Sequence, residues 1–155
     1  MVTLREVQDG DADALFEQMR DPEAVAMAAF THRDPDDRAA FDAWLHRVRN
    51  DPGVTMRAVL EDGRLVGSVA SFVIEGDTEI TYWLDRAVWG RGIAGEAVAA
   101  LLALVPTRPL HARAASDNIG SLKVLQRAGF KITGTDVGYA KARDAEIEET
   151  ILVLA

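Results

Sequence analysis

Between a segment that alternates with a period of two, TEITYWL, and a run that is almost wholly apolar, EAVAALLALV, the chain carries three glycines in seven residues, Trp89 to Gly95, WGRGIAG. A strand that hands over through a glycine turn to a helix apolar on nearly all sides implies burial of that helix against a sheet. The turn also has a chemical consequence. Backbone N–H groups at the start of a helix lack intrahelical partners and carry a partial positive charge, so a glycine turn that aims them at one spot suits a phosphate. Gly90 and Gly92 allow close backbone approach, Ala94 and Gly95 keep the first turn free of bulk, and Arg91 offers a cation to the same anion. A turn that needs glycine only for its backbone angles is spelled the same way. The segment matches neither the dinucleotide fingerprint nor the P-loop, because no Lys-Ser/Thr pair closes it.

The rest of the chain alternates helices and strands without an internal repeat or a dividing linker. VTLREV reads as a short strand, and DADALFEQMR as a helix with Ala12, Leu15, Phe16 and Met19 on one stripe. Pro22 opens a short helical piece. In DPDDRAAFDAWLHRVRN, Phe41, Trp44, Leu45 and Val48 share a helical face, and Asn50 to Gly53 stop it. VTMRAVL and LVGSVASFVI are strands joined by a tight Asp-Gly turn, and Gly76 with Asp77 makes the next turn. In TEITYWL, Ile80, Tyr82 and Leu84 take one face of a strand, and Glu79, Thr81 and Trp83 the other. A helix from about Gly92 to Val105 ends at Pro106. PLHARAA is a strand, SDNIGSLKVLQRAG a helix stopped by Gly129, and FKITGTDVGYA with EIEETILVLA close the sheet.

Composition removes several classes of function. A chain of 155 residues with 48% hydrophobic content fits one domain, residues 1–155, with a core of its own. With no cysteine it has neither a disulfide framework nor a thiolate nucleophile, and the three scattered histidines, His32, His46 and His111, leave little for a metal; none of them is assigned a role. A net charge of −8 argues against a nucleic-acid partner. No apolar stretch approaches the ~20 residues of a membrane span, and the N-terminus does not read as a secretion signal, so a cytoplasmic location is expected. The sequence does not distinguish a monomer from a homodimer.

EITYWLDRAVWGRGIAGEAVAALL followed by NIGSLKVLQRAGF resembles the GNAT superfamily of N-acetyltransferases, and within it the branch of the ribosomal-protein N-terminal acetyltransferases. The resemblance is strong over roughly residues 53 to 131. It implies an α/β fold with a central mixed, mostly antiparallel sheet splayed at two parallel strands and flanked by helices, with acetyl-coenzyme A as cosubstrate. The superfamily's Gln/Arg-x-x-Gly-x-Gly/Ala loop, which holds the pyrophosphate, falls on Trp89, Gly90, Arg91, Gly92, Ile93 and Ala94. Trp89 departs from the usual Gln or Arg but fits the branch. The resemblance places Asn118 and its helix beside the pantetheine arm, and the backbone of Tyr82, Trp83 and Leu84 at the thioester carbonyl.

Acetyl transfer to an amine needs a deprotonated nitrogen, a polarised carbonyl and a way to neutralise the departing thiolate. Glu79, at the start of the strand entering the loop, is where the superfamily often places its general base, directly or through water; as a plain strand residue it would balance a neighbouring cation. Many members carry a proton-donating tyrosine in the second helix, where this chain has Leu125. Ser121, one turn after Asn118 and on its face, is the hydroxyl placed to replace it, or else a capping serine. Asp77, Glu148 and Glu149 are candidates for attracting a cationic acceptor, or else solvent-facing acids, and Phe41, Trp44 and Trp83 for lining its pocket, or else core aromatics at helical and strand spacing. The expected reaction is direct acetyl transfer to a primary amine, either a protein N-terminus or a small molecule, with no metal. The alternatives are a catalytically silent coenzyme A-binding regulatory module and, further off, a nucleotide-binding domain that uses the loop for another diphosphate.

Overall fold

The computed structural model describes residues 1–31 and 34–155. The elements run β1 (Val2–Glu6), α1 (Ala12–Met19), α2 (Pro22–Ala28), α3 (Arg38–Arg49), β2 (Thr55–Glu61), β3 (Arg64–Ile74), β4 (Asp77–Leu84), α4 (Ile93–Leu104), β5 (Leu110–Ala115), α5 (Ile119–Arg127), β6 (Lys131–Ala140) and β7 (Ala145–Leu154). Local chemistry accounts for their limits. Asp21 caps α2 by accepting from Ala24 N–H, with Pro22 in the first turn, and Asp37 caps α3 by accepting from Ala40 N–H. The β2–β3 hairpin turns through Asp62 and Gly63, both at positive φ, as a two-residue loop with the strands' own twist requires. The β3–β4 hairpin repeats this with Glu75 and Gly76. Its turn therefore lies one residue earlier than the Gly76-Asp77 reading, and Asp77 already pairs with Ile74 in β4.

Seven strands form one sheet in the order β1-β2-β3-β4-β5-β7-β6. Every neighbouring pair is antiparallel except β4–β5. Two apolar layers cover the two faces. Under α4 and α5, Val69, Ile80, Leu84, Leu110, Ala112 and Leu152 pack with Ile93, Ala97, Val98, Leu101 and Leu125. On the other face, Met56 and Ala58 pack with Leu15, Phe16, Phe41 and Leu45 from α1 and α3. α4 is buried along one side only, and Leu104 is about half exposed, so its apolar composition exceeds what its packing needs.

The feature that creates a site is the single parallel pair. β4 follows β3 from Asp77 to Leu84, yet it meets β5 at only two residue pairs, Thr78–Leu110 and Glu79–His111. Beyond Glu79 the two strands separate, and the edge of β4 from Ile80 to Leu84 faces a gap in the sheet.

Candidate active site

The gap opens into a cleft of about 820 Å³. Its walls come from both faces of the sheet. Ile80, Tyr82, Leu84, Ala112 and Ala114 belong to the face covered by α4 and α5, whereas Thr81, Trp83, Arg113, Ala115 and Glu149 belong to the opposite one. The cleft therefore runs through the sheet, with the first turns of α4 and α5 at one end and α2 with Phe30 and Thr31 at the other.

At the helical end, Gly92 caps α4 in the left-handed region, at φ +78°, and Gly90 has φ +77°. The first intrahelical bond runs from Glu96 N–H to Gly92 O, so the amides of Ile93, Ala94 and Gly95 stand at the free, positive end of the helix. A Cβ added at Gly90, Gly92, Gly95 or Gly120 would meet no atom within 4 Å, so the missing side chains leave open space along the lip of the cleft. This cradle fits a phosphate-bearing group. The Arg91 guanidinium pairs instead with Glu61 on β2 at 2.8 Å, and the cations lining the cleft beside the cradle are Lys123 and Arg127 on α5. Trp89 lines the cleft too, and its indole N–H donates to Leu84 O at 3.2 Å, tying the loop to the end of β4.

Glu79 occupies the apex of the splay, at the last β4–β5 pair, and is buried. Desolvation pushes its pKa above the usual carboxylate range, against the opposing pull of Arg113 and His111. The Arg113 guanidinium lies 3.7 Å from Glu79, 3.1 Å from Glu149 and 3.9 Å from Asp136, and His111 Nε2 lies 3.6 Å from Asp77. One guanidinium thus stands among three carboxylates at the apex of the splay, and of these four groups Arg113 and Glu149 line the cleft itself.

Across the gap, Asn118 caps α5 by accepting from Ser121 N–H at 3.2 Å. The Tyr82 hydroxyl donates to Ser121 Oγ at 3.0 Å, and burial raises the phenol's pKa. Leu125, on the same helix, is buried in the cleft wall.

Residues 1–131 match the family model described as an acetyltransferase (GNAT) domain. The chain belongs to the GNAT acetyltransferase family. Over 95% of its length it is 28% identical to the uncharacterized N-acetyltransferase p20 of Bacillus licheniformis, covering 88% of that protein. The GNAT fold is shared with solved structures of much lower identity. The ribosomal-protein-alanine N-acetyltransferase of Brucella melitensis superposes with a TM-score of 0.81 at 20% identity, over 97% of this chain and 98% of that one. The phosphinothricin acetyltransferase of Sinorhizobium meliloti, solved in complex with acetyl-coenzyme A, gives 0.82 at 16% identity, over 98% of this chain and 86% of that one.

Within this GNAT domain the structure brings Tyr82, Trp83, Leu84, Trp89, Gly90, Gly92, Ile93, Ala94, Gly95, Asn118 and Ser121 to one cleft, with Glu79 one residue before its wall on β4, at the last β4–β5 pair. Phe41 and Trp44 are elsewhere: Phe41 packs in the α1–α3 core with its ring 5.3 Å from Phe16 and 5.8 Å from Trp44. Trp83 lines the cleft but is pinned by its indole N–H to Gln18 O on α1 at 2.9 Å. Glu149 lines the cleft, Glu148 is exposed, and Asp77 is mostly exposed beside His111. His46 lies near Asn50 on α3, away from the cleft, and His32 falls outside the described residues. Arg113 and His111 are the site residues that the sequence reading missed. Their signal was the alternation in PLHARAA, which sets both on one face, but only the β4–β5 register shows that Glu79 shares it. Among the described residues no group of side chains is arranged to hold a metal ion, and no helix is long and apolar enough to cross a membrane.

Proposed function

We propose that the chain, acting over residues 1–155 as one domain, transfers an acetyl group from acetyl-coenzyme A to a primary amine by direct attack. The observation that carries this reading is the cleft through the sheet: an anion cradle lies on one side and a buried, acidic apex on the other, so two substrates reach the same gap from opposite faces. The helical end suits the coenzyme, whose pyrophosphate would take the amides of Ile93, Ala94 and Gly95, with Lys123 and Arg127 as the nearby cations. The acetyl-coenzyme A complex of the Sinorhizobium relative supports that choice.

Each remaining step belongs to a residue of this chain. The unpaired edge of β4 from Tyr82 to Leu84 offers backbone N–H groups to the thioester carbonyl. Glu79, directly or through one water, takes the proton from the ammonium; its raised pKa makes its carboxylate a stronger base than an exposed one. Ser121 donates a hydrogen bond to the departing thiolate. The carboxylates Glu79, Glu149 and Asp136 grouped around Arg113 favour acceptors without an anionic group beside the amine, which supports a protein N-terminus or a polyamine over an acidic amino acid. The Brucella relative, a ribosomal-protein-alanine N-acetyltransferase, agrees with the N-terminal choice.

A panel of amines tests the reading: peptides beginning with alanine, serine and methionine, polyamines, and acidic amino acids, each with acetyl-coenzyme A. Acetylation of a peptide or polyamine with release of free thiol is expected. Binding of acetyl-coenzyme A without release for any amine would instead make the chain a silent coenzyme-binding module.

A further inference from the structure

The bond from the Tyr82 hydroxyl to Ser121 Oγ joins β4 to α5 within the cleft. We propose that Tyr82 is a positioning residue for thiolate departure: by donating to Ser121 Oγ it leaves the Ser121 hydrogen free to point at the sulfur of coenzyme A. The proposal rests on the reading of Ser121 as the donor to that sulfur, and goes beyond it by assigning the phenol a function.

A serine hydroxyl has one hydrogen and two lone pairs. In this cleft one lone pair accepts the phenol hydrogen, so the serine hydrogen has to find another acceptor. Asn118 Oδ1 accepts from Ser121 N–H and so holds the serine at the start of α5. These two bonds fix the first turn of α5 and leave the hydroxyl hydrogen as the free donor on a residue that lines the cleft. A hydroxyl that accepts one hydrogen bond also donates more strongly through the next. Burial holds Tyr82 in its protonated form, so it remains a donor across the neutral range. Leu125, on the helix that in many relatives carries a tyrosine, has no proton to give; the phenol of this cleft comes from the strand on the opposite wall.

The chemistry balances without ionising Tyr82. The amine nitrogen forms its bond to the acetyl carbon; when the C–S bond breaks, its electron pair stays on sulfur, and the thiolate is held by the Ser121 hydrogen until water protonates it. The proton lost by the amine passes to Glu79 and then to water.

Coenzyme A itself is the probe, and no acceptor is needed. The chain has no cysteine, so thiolate absorbance, taken as a difference from the ligand-free protein, reports the coenzyme alone. The pKa of the bound thiol is titrated in the parent, Ser121→Ala, Tyr82→Phe and the double variant. A hydrogen bond to the charged form lowers a pKa. The bound thiol should therefore titrate below free coenzyme A in the parent. It should rise by about one unit, a roughly tenfold loss of thiolate, in each single variant, and no further in the double. A shift with Ser121→Ala and none with Tyr82→Phe would overturn the role of Tyr82 while leaving Ser121 in place. No shift with Ser121→Ala would remove the reading of Ser121 itself. A shift with Tyr82→Phe alone would mean that the phenol reaches sulfur directly, against the proposed relay. Phenylalanine keeps the ring that packs beside α5, so a loss of fold does not imitate these results.

Discussion

Glu79 is held between two opposing influences. Burial favours its neutral form, and the Arg113 guanidinium 3.7 Å away favours its charge; burial wins, and the pKa rises. A carboxyl whose folded pKa lies above its unfolded one stabilises the fold fully below the unfolded value and loses that contribution as pH rises through the folded value. Glu79→Gln should therefore melt at a higher temperature than the parent at about pH 8, with the gain disappearing near pH 4. An equal difference at both pH values would show that its charge carries no burial cost. In turnover the same variant should lose on the order of 100-fold near neutrality, and less as pH approaches the acceptor amine's own pKa, where solvent delivers the free amine. Arg113→Gln removes the pull that lowers the Glu79 pKa, so the acid limb of the rate profile should move to higher pH. An unmoved limb would separate the two residues. For Ser121→Ala, turnover measured where chemistry is rate-limiting should fall roughly 10- to 100-fold.

The first turns of α4 and α5 make the cradle, and they call for different tests. Gly92 sits at φ +78°, where any L side chain is strained, so a bulky residue there mixes backbone cost with blockage of the cleft. Gly95 is helical and faces open space. Gly95→Leu should weaken acetyl-coenzyme A binding, measured by calorimetry, by more than about tenfold while keeping the melting temperature, since a helix gains rather than loses by replacing glycine. Unchanged affinity would place the pyrophosphate elsewhere. Asn118→Ala removes a cap worth about 1 kcal/mol and releases Ser121 N–H, so it should cost both stability and turnover.

These two elements were also the most legible in the sequence. The glycines, the apolar run after them and the Asn-Ile-Gly-Ser start of α5 are local patterns, and local patterns dictate caps and turns. The period-two alternation of TEITYWL likewise set Glu79 apart from Ile80, Tyr82 and Leu84. What escaped the reading depends on neighbours distant in the chain. The pairing of Arg91 with Glu61, thirty residues earlier, was not legible beside the glycines. Arg113 and His111 gained meaning only through the parallel register of β4 and β5, and Tyr82 through a helix 39 residues later. Phe41 and Trp44 stayed open between core and pocket because helical spacing does not say which layer a helix joins, and the core is where they lie.

For the whole molecule, the central claim is that one break in a seven-stranded sheet turns a packed α/β scaffold into a site for two substrates. Antiparallel pairing continues on both sides of the gap, β3 with β4 and β5 with β7, so the opening is held by the sheet itself. In the proposed reading the coenzyme enters from the side of α4 and α5 and the acceptor from the side of α2. The most direct measurement is a thiol-release assay of the intact protein with acetyl-coenzyme A and the amine panel, with each product identified by mass spectrometry. Free coenzyme A forming in equal amount with an N-acetylated peptide or polyamine, and only when both substrates are present, is the predicted result. Thiol release that does not depend on the amine, or none with any amine while acetyl-coenzyme A binds, would contradict the account.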